Sequence, residues 1–228
     1  MNNTVEALQN WLLSQQKYLY PLLPGLSPGQ LMNLDLSENN AALKQIDLTD
    51  TQAFHTFIFG QVLNGKTGIG GFFENRSIYR RSAHFDGTEA RSLHLGLDIW
   101  TEAGTPLFAP LDGVVHSLAD NQGFGNYGPT LILEHQSPKG KFYSLYGHLM
   151  GDVLDIWQAG DSLSAGTQLA RIGNFPENGH WPPHLHWQVM TDMLGFEGDF
   201  PGVAEPSREQ FYRQYCVDPS LLLRLDEA

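Results

Sequence analysis

The sequence predicts a mainly β protein built on an antiparallel sheet, with a helical N-terminal extension and a short C-terminal helix. Three observations predict this class. From about Gly68 onward, Gly and Pro recur every few residues between short runs that are β-branched or alternate in polarity. The connections between those runs lack a helical pattern of about 10–15 residues, so parallel β-α-β crossovers are not expected. Helical patterns occur only before Gly68 and at 207–215.

The elements follow from local patterns, taken in order. Apolar residues at near-helical spacing predict a helix over 4–20, ended by Pro21 and Pro24. A strand is expected around 31–36, and a second helix over 50–65, ended by Gly65. The predicted core strands are at 93–100, 113–119, 130–135, 141–147, 168–173 and 185–191. A final helix is predicted at 207–215. We therefore divide the chain into an extension packed on the core (1–75), a β core (76–193) and a tail (194–228).

Composition excludes several classes of protein. The chain has 228 residues, 41% of them apolar, and a net charge of −12, which is typical of a soluble globular protein with a substantial core. The acidic balance argues against binding to nucleic acid. Cys216 is the only cysteine, so a metal would be held by His, Asp or Glu. The N-terminus lacks the features of a secretory signal, and no apolar run approaches the ~20 residues of a membrane span. These absences predict a cytoplasmic location; the oligomeric state is not indicated.

Three groups of residues carry metal-binding chemistry. His94 and Asp98 lie at positions i and i+4, which share one face of a strand. His184 and His186 lie at i and i+2, and again share a face. His148 ends a predicted strand. Each group alone is common in proteins without a metal, but together, in a region without cysteine, they favour a metal site.

The ligand types narrow the choice of metal. Two imidazoles and one carboxylate suit zinc with an open fourth position. A water at that position is activated for hydrolysis. A non-haem iron site uses the same donors, so ligand count alone leaves zinc and iron open.

Five sequence runs carry a family resemblance: RSLHLGLDIWTEAGTPLFAPLDGVV, GFGNYGPTLILEH, YSLYGHL, AGDSLSAGTQLARIGN and PPHLHWQV. In order and spacing they resemble the lysostaphin/LytM-type zinc metallopeptidases over roughly residues 91–190. The resemblance implies a sandwich or barrel-sandwich hybrid core with one zinc ion ligated by His94, Asp98 and His186. It also implies that His148 and His184 are catalytic without binding the metal. The implied reaction is hydrolysis of a peptide bond by a metal-activated water, in a peptide or peptidoglycan fragment of cross-bridge or stem-peptide type.

Two other functions stay open. One is a non-catalytic binding or regulatory module of the same fold. The other is a zinc amidase that acts on a non-peptide amide in the cytoplasm. Tyr127 and Tyr146 are further candidates for the cleft, and Arg80 and Arg81 could bind an anionic substrate group. The segment before His94 could also cover the cleft.

Overall fold

The computed structural model describes residues 3–87 and 89–226. The strands in this part of the chain are β1 (Leu31–Asn33), β2 (Thr67–Gly70), β3 (Leu93–His94), β4 (Leu97–Trp100), β5 (Pro106–Phe108), β6 (Gly113–Asn121), β7 (Gly128–Ser137), β8 (Gly140–Gly147), β9 (Ser162–Leu163), β10 (Gln168–Arg171), β11 (His184–Met190), β12 (Val203–Ala204) and β13 (Cys216–Val217). The α-helices are α1 (Asn3–Gln15), α2 (Thr51–His55), α3 (Val153–Ile156) and α4 (Glu209–Tyr212).

One large sheet organises the fold. Its strands follow the order β1-β2-β4-β11-β8-β7-β6-β9, and β13 also pairs with β11. Neighbouring strands are antiparallel except β1 and β2, which are parallel. The mainly β class is therefore confirmed, but the sheet is mixed rather than purely antiparallel. The cause lies in the extension, because residues 34–66 form a long, helix-containing crossover between β1 and β2, and such a crossover permits parallel pairing.

The register of β4 and β11 sorts their side chains onto two faces. His186 lies opposite Asp98, and His184 lies opposite Trp100, so these four side chains share one face. The intervening residues of β11, such as Leu185, point to the other face. All the predicted histidines of β11 therefore lie on one side of the sheet.

Helix α1 covers the face opposite to the histidines. Val5, Leu8 and Leu12, spaced for one stripe of a helix, are buried in the same cluster as Leu185 and Trp187. The helix predicted over 4–20 is shorter in the structure and is followed by a 3₁₀ turn at Gln16–Tyr18. This helix does not cover the side of the sheet on which the histidines lie.

The second predicted helix is confirmed and has an unusual end. Asp50 caps α2 by accepting hydrogen bonds from the backbone N–H groups of Gln52 and Ala53. The helix then widens into a π-helix at Thr56–Leu63, and a left-handed Gly65 with φ 86° follows it. Phe54 and Ile58 from this helix pack in one cluster with Trp100, on the histidine side of the sheet.

The flanking segments are joined to the core by backbone pairing. The extension supplies β1 and β2 to the large sheet, and the tail supplies β12, which pairs with β3, and β13. The final helix, α4, is shorter than the predicted 207–215. The domain boundaries at 75 and 193 stay a prediction. Within the described residues, no helix has the length and apolar character to cross a membrane.

Candidate metal centre

Three strands bring His94, Asp98 and His186 together. His94 ends β3, Asp98 lies in β4, and His186 lies opposite Asp98 in β11. The predicted strand over 93–100 is interrupted at Leu95 and Gly96, and its two halves pair with different partners. The two side chains still converge, but through a break in the strand rather than along one regular strand.

The three donor atoms form a small buried triangle. His94 Nε2 lies 2.9 Å from His186 Nδ1, and Asp98 Oδ1 lies 3.2 Å from each of these nitrogens. All three residues are at most 3% exposed. Donors around a tetrahedral zinc ion with bonds of about 2.0–2.1 Å would be ~3.3 Å apart. The triangle therefore has the size of one zinc coordination face.

Hydrogen bonds outside the triangle fix which ring nitrogen carries a proton. His94 Nδ1 lies 3.0 Å from the carbonyl oxygen of Gly71, which can only accept. His186 Nε2 lies 3.1 Å from Gln188 Oε1, and the amide nitrogen of Gln188 donates to the Pro201 carbonyl. Both histidines thus carry their proton on the outer nitrogen and turn an unprotonated nitrogen inward.

The donor set fits a cation. With those tautomers, two nitrogen lone pairs and a carboxylate oxygen face one another without a proton between them, an arrangement that a cation stabilises. Asp98 Oδ1 is buried and accepts no hydrogen bond from the described residues. The three residues also form a group of metal-binding type, with donor atoms within 4.8 Å of one another.

His148 and His184 lie beside this triangle. Their rings are 4.3 Å apart between centroids, and the ring of His184 stacks on Trp100 at 3.9 Å. His148 Nδ1 donates to the Asn178 carbonyl at 2.9 Å, and His184 Nδ1 donates to the Pro182 carbonyl at 2.8 Å. Each therefore leaves Nε2 free to accept a proton. The structure brings together all five residues selected from the sequence.

Burial and nearby charge set the protonation of the centre. Burial lowers the pKa of His94 to about 3 and that of His184 to about 4, and it holds the pKa of His148 well below its usual value. Burial alone would raise the pKa of Asp98, but His94 and Arg76 hold it well below its ordinary value. Near neutral pH the carboxylate is charged and these imidazoles are neutral, as metal binding requires.

A cavity of about 220 Å³ lies over the centre. Its wall includes Asp98, His148, His184 and His186, together with residues from the 76–91 segment and from the tail. Arg91 also lines the cavity; its guanidinium lies 5.4 Å from the centre of the Phe85 ring and donates to the His84 carbonyl. The cavity can therefore hold a small substrate group next to the five residues.

Two contributors were missed by the sequence analysis. Arg76 is 1% exposed and donates to Asp98 Oδ2, so this guanidinium touches the predicted metal ligand directly. Gln188 contacts His186 as described above and is fully buried. The only signal for Gln188 was its i+2 position after His186, which places it on the same face. No local pattern distinguished Arg76.

The tyrosines and arginines selected from the sequence differ in whether they reach the cavity. Tyr127 lies in the cavity wall, with its hydroxyl 3.4 Å from His186 Nε2. Tyr146 packs in the cluster on the opposite face and cannot reach the cavity. Arg81 is buried against the rings of Phe124 and Trp181, each 4.7 Å away, and is not in the cavity wall. The arginines of the cavity wall are Arg76, which donates to Asp98, and Arg91.

Two imidazoles and one carboxylate, with two further histidines beside an open cavity, are the arrangement that metal-dependent hydrolases use. Residues 92–196 match the sequence profile of peptidase family M23. This match confirms the resemblance identified from the motifs of the chain. The match supports a metallopeptidase.

The individual proteins that are similar to this chain share only about a quarter of their aligned residues with it. A Haemophilus influenzae protein described as an uncharacterized metalloprotease is 27% identical over 125 residues, which cover 52% of this chain and 24% of that protein. A zinc-containing peptidase from Vibrio cholerae is 26% identical over 43% of this chain and 27% of its own, with a TM-score of 0.34. The catalytic domain of lysostaphin from Staphylococcus simulans is 20% identical over 64% of this chain and 91% of its own, with a TM-score of 0.39. The present chain thus spans about a quarter of the curated relative that it matches.

Proposed function

We propose that this chain is a zinc-dependent metalloendopeptidase that hydrolyses a peptide bond in a peptidoglycan cross-bridge or stem peptide. One zinc ion would be held by His94, Asp98 and His186. The observation that carries the proposal is the triangle of inward-facing donor atoms, with separations of 2.9 and 3.2 Å and no proton among them. The peptidase family M23 match adds the reaction class.

A zinc ion bound there would polarise the scissile carbonyl and lower the pKa of a water. The chain's own histidines would move the protons. His148 and His184 are both neutral near pH 7 with a free Nε2, so either can accept the proton of the attacking water. As the new C–O bond forms and the C–N bond breaks, the protonated imidazole can return that proton to the leaving amine. The hydrogen bonds from Nδ1 to the Asn178 and Pro182 carbonyls fix the orientation of both rings, which supports this role.

The cavity provides the substrate contacts in this proposal. Arg91 is half-buried in its wall and pairs with no carboxylate of the described residues. It would bind a carboxylate of the substrate near the scissile bond. The peptidoglycan type of substrate rests on the family resemblance rather than on any one contact.

The test is hydrolysis of purified peptidoglycan and of a defined peptide panel by zinc-loaded protein, analysed by mass spectrometry. We expect a product with the wild type and a loss of turnover of about 10²–10⁴-fold or more in His184→Ala and His148→Ala, both with zinc content retained. His116→Ala is the matched control, because His116 lies on β6 outside the cavity wall. Loss of zinc from His184→Ala would contradict its role beside the metal.

The same experiment separates the two alternatives. Hydrolysis of small amides with no cleavage of any peptide would indicate an amidase. Peptidoglycan binding without cleavage, equal in the wild type and in His184→Ala, would indicate a binding or regulatory module. Either outcome overturns the peptidase proposal.

A further inference from the structure

The carboxylate of Asp98 is shared between the candidate metal centre and a buried arginine. Its Oδ1 faces His94 and His186, whereas its Oδ2 accepts a hydrogen bond from Arg76 Nη1. Asp98 is 2% exposed and Arg76 is 1% exposed. A buried charge pair of this kind is only weakly screened by solvent, so the guanidinium acts on the same carboxylate that a metal would use.

Arg76 is itself held in one orientation by several acceptors. Nε donates to Glu74 Oε2 at 2.6 Å, and Nη2 donates to the Gly70 carbonyl at 3.1 Å. Nη1 also lies 3.3 Å from the Tyr79 hydroxyl. Because the planar guanidinium is fixed on several sides, the direction of its bond to Asp98 is fixed as well.

The same segment orients the neighbouring ligand. The Gly71 carbonyl accepts the outer N–H of His94, and the His94 backbone N–H donates to the Glu74 carbonyl at 2.9 Å. The backbone N–H of Arg76 donates to the Ser92 carbonyl at 2.8 Å. Residues 70–79 thus contact two of the three donor residues, although they lie outside the 92–196 stretch that matches peptidase family M23.

We propose that Arg76 is a positioning residue that restricts Asp98 to one metal-facing oxygen and offsets part of its negative charge. This inference rests on the proposed metal site. A carboxylate that bonds a guanidinium through one oxygen presents only its other oxygen to a metal ion. The positive charge of the guanidinium also repels that metal ion. The result is a weaker hold on the metal and a defined geometry for the ligand.

The charges of Arg76 and Glu74 predict opposite effects on metal affinity when each is removed. Arg76→Met removes the opposing positive charge, so we expect Co²⁺ to bind about tenfold more tightly. Glu74→Gln removes a negative charge that partly neutralises Arg76, so we expect Co²⁺ to bind several-fold more weakly. A merely structural tie would give weaker binding, or no change, in both variants.

The experiment measures Co²⁺ affinity by competition with a chromophoric chelator, and the visible absorption spectrum of the Co²⁺ protein. The spectrum reports ligand geometry, so it should change in Arg76→Met and in Arg76→Lys, which keeps the charge but lacks the planar fork. Arg76→Lys decides the question if Arg76→Met does not fold, because a changed spectrum at unchanged charge follows from positioning of Asp98 by the planar guanidinium. Lys141→Met is the matched control, because it removes one positive charge from an exposed surface pair with Glu134, and it should change neither affinity nor spectrum.

The outcomes for this inference and for the proposed function are distinct. The role of Arg76 is overturned if the Co²⁺ spectra of Arg76→Met and Arg76→Lys equal that of the wild type, and if Arg76→Met and Glu74→Gln shift the Co²⁺ affinity in the same direction or not at all. The peptidase proposal would then still stand. Stoichiometric Co²⁺ binding with the expected shifts, but no cleavage of any substrate, would support the role of Arg76 and overturn the peptidase. A wild type that binds no metal would overturn both.

Discussion

Gly96, at the break between β3 and β4, allows the metal centre to be tested with a single methyl group. A Cβ at this position would lie 2.7 Å from both Cε1 and Nε2 of His186, and 2.7 Å from the carbonyl oxygen of Trp187, where ordinary contacts begin at 3.4 Å. The ring cannot move away freely, because Gln188 and Tyr127 contact its Nε2. Overpacking of this kind costs about 1–3 kcal/mol, and each kcal/mol lowers Tm by about 2–4 °C in a chain of this length.

The same displacement should weaken metal binding. A shift of several tenths of an ångström in His186 changes its 3.2 Å separation from Asp98 Oδ1, and disturbing the support of a ligand typically costs about 10–100-fold in affinity. The assay is urea denaturation of the metal-free protein, together with zinc affinity from chelator competition. Gly29→Ala is the control, because a Cβ there meets nothing within 4 Å. If Gly96→Ala matches Gly29→Ala in both measurements, the reasoning about this contact is wrong.

Three further predictions concern other parts of the molecule. Gln188→Leu removes the acceptor of the outer N–H of His186, so zinc affinity from chelator competition should fall about 10–100-fold. Burial lowers the pKa of His135 from 6.5 to about 4 in the folded chain, so the unfolded chain alone takes up this proton in that window, and stability is lost as the pH falls through it. In urea denaturation at several pH values, His135→Gln should remove up to about 1.4 kcal/mol per pH unit of that loss. Arg91→Ala should raise KM about tenfold for a cleaved peptide with a carboxylate beside the scissile bond, and leave KM unchanged for its amide analogue.

Each of these predictions has a result that contradicts it. Zinc affinity in Gln188→Leu equal to that in Cys216→Ala, which removes only the weaker sulfur contact of the same amide, would show that the acceptor does not orient His186. If the free energy of unfolding of His135→Gln depends on pH as steeply as that of the wild type, the loss of stability comes from other groups. Equal KM changes for the acidic peptide and its amide would exclude recognition of the carboxylate by Arg91.

The five candidate site residues could be selected from sequence because three short motifs and a family resemblance mark them, and the structure brings them together. The alternation of side chains along β11 is enough to place His184 and His186 on one face. Arg76 could not be found in this way, because its role depends on a tertiary contact with Asp98, which is 22 residues away. An arginine between polar residues has the same local pattern whether it is buried or solvated.

Strand register explains the two different outcomes for the tyrosines. Tyr146 lies opposite Trp187, and Trp187 alternates with His186, so Tyr146 must point away from the cavity. The alternation of side chains along one strand can be read from the sequence, but which residues of two strands pair cannot. The parallel pairing of β1 and β2 was missed for a similar reason, since a long connection does not reveal where the chain returns.

The outermost strands of the large sheet are short, which has a consequence for self-association. The strand at one edge, β1, has three residues, and the strand at the other edge, β9, has two. However, β9 pairs only with Gly113 and Val114 at the start of the nine-residue β6. Edge-to-edge polymerisation requires an extended row of free backbone donors and acceptors, and a short edge strand offers few of them. The β1 edge should therefore resist β-mediated aggregation, whereas the uncovered part of β6 is where an added strand would have more backbone groups to join.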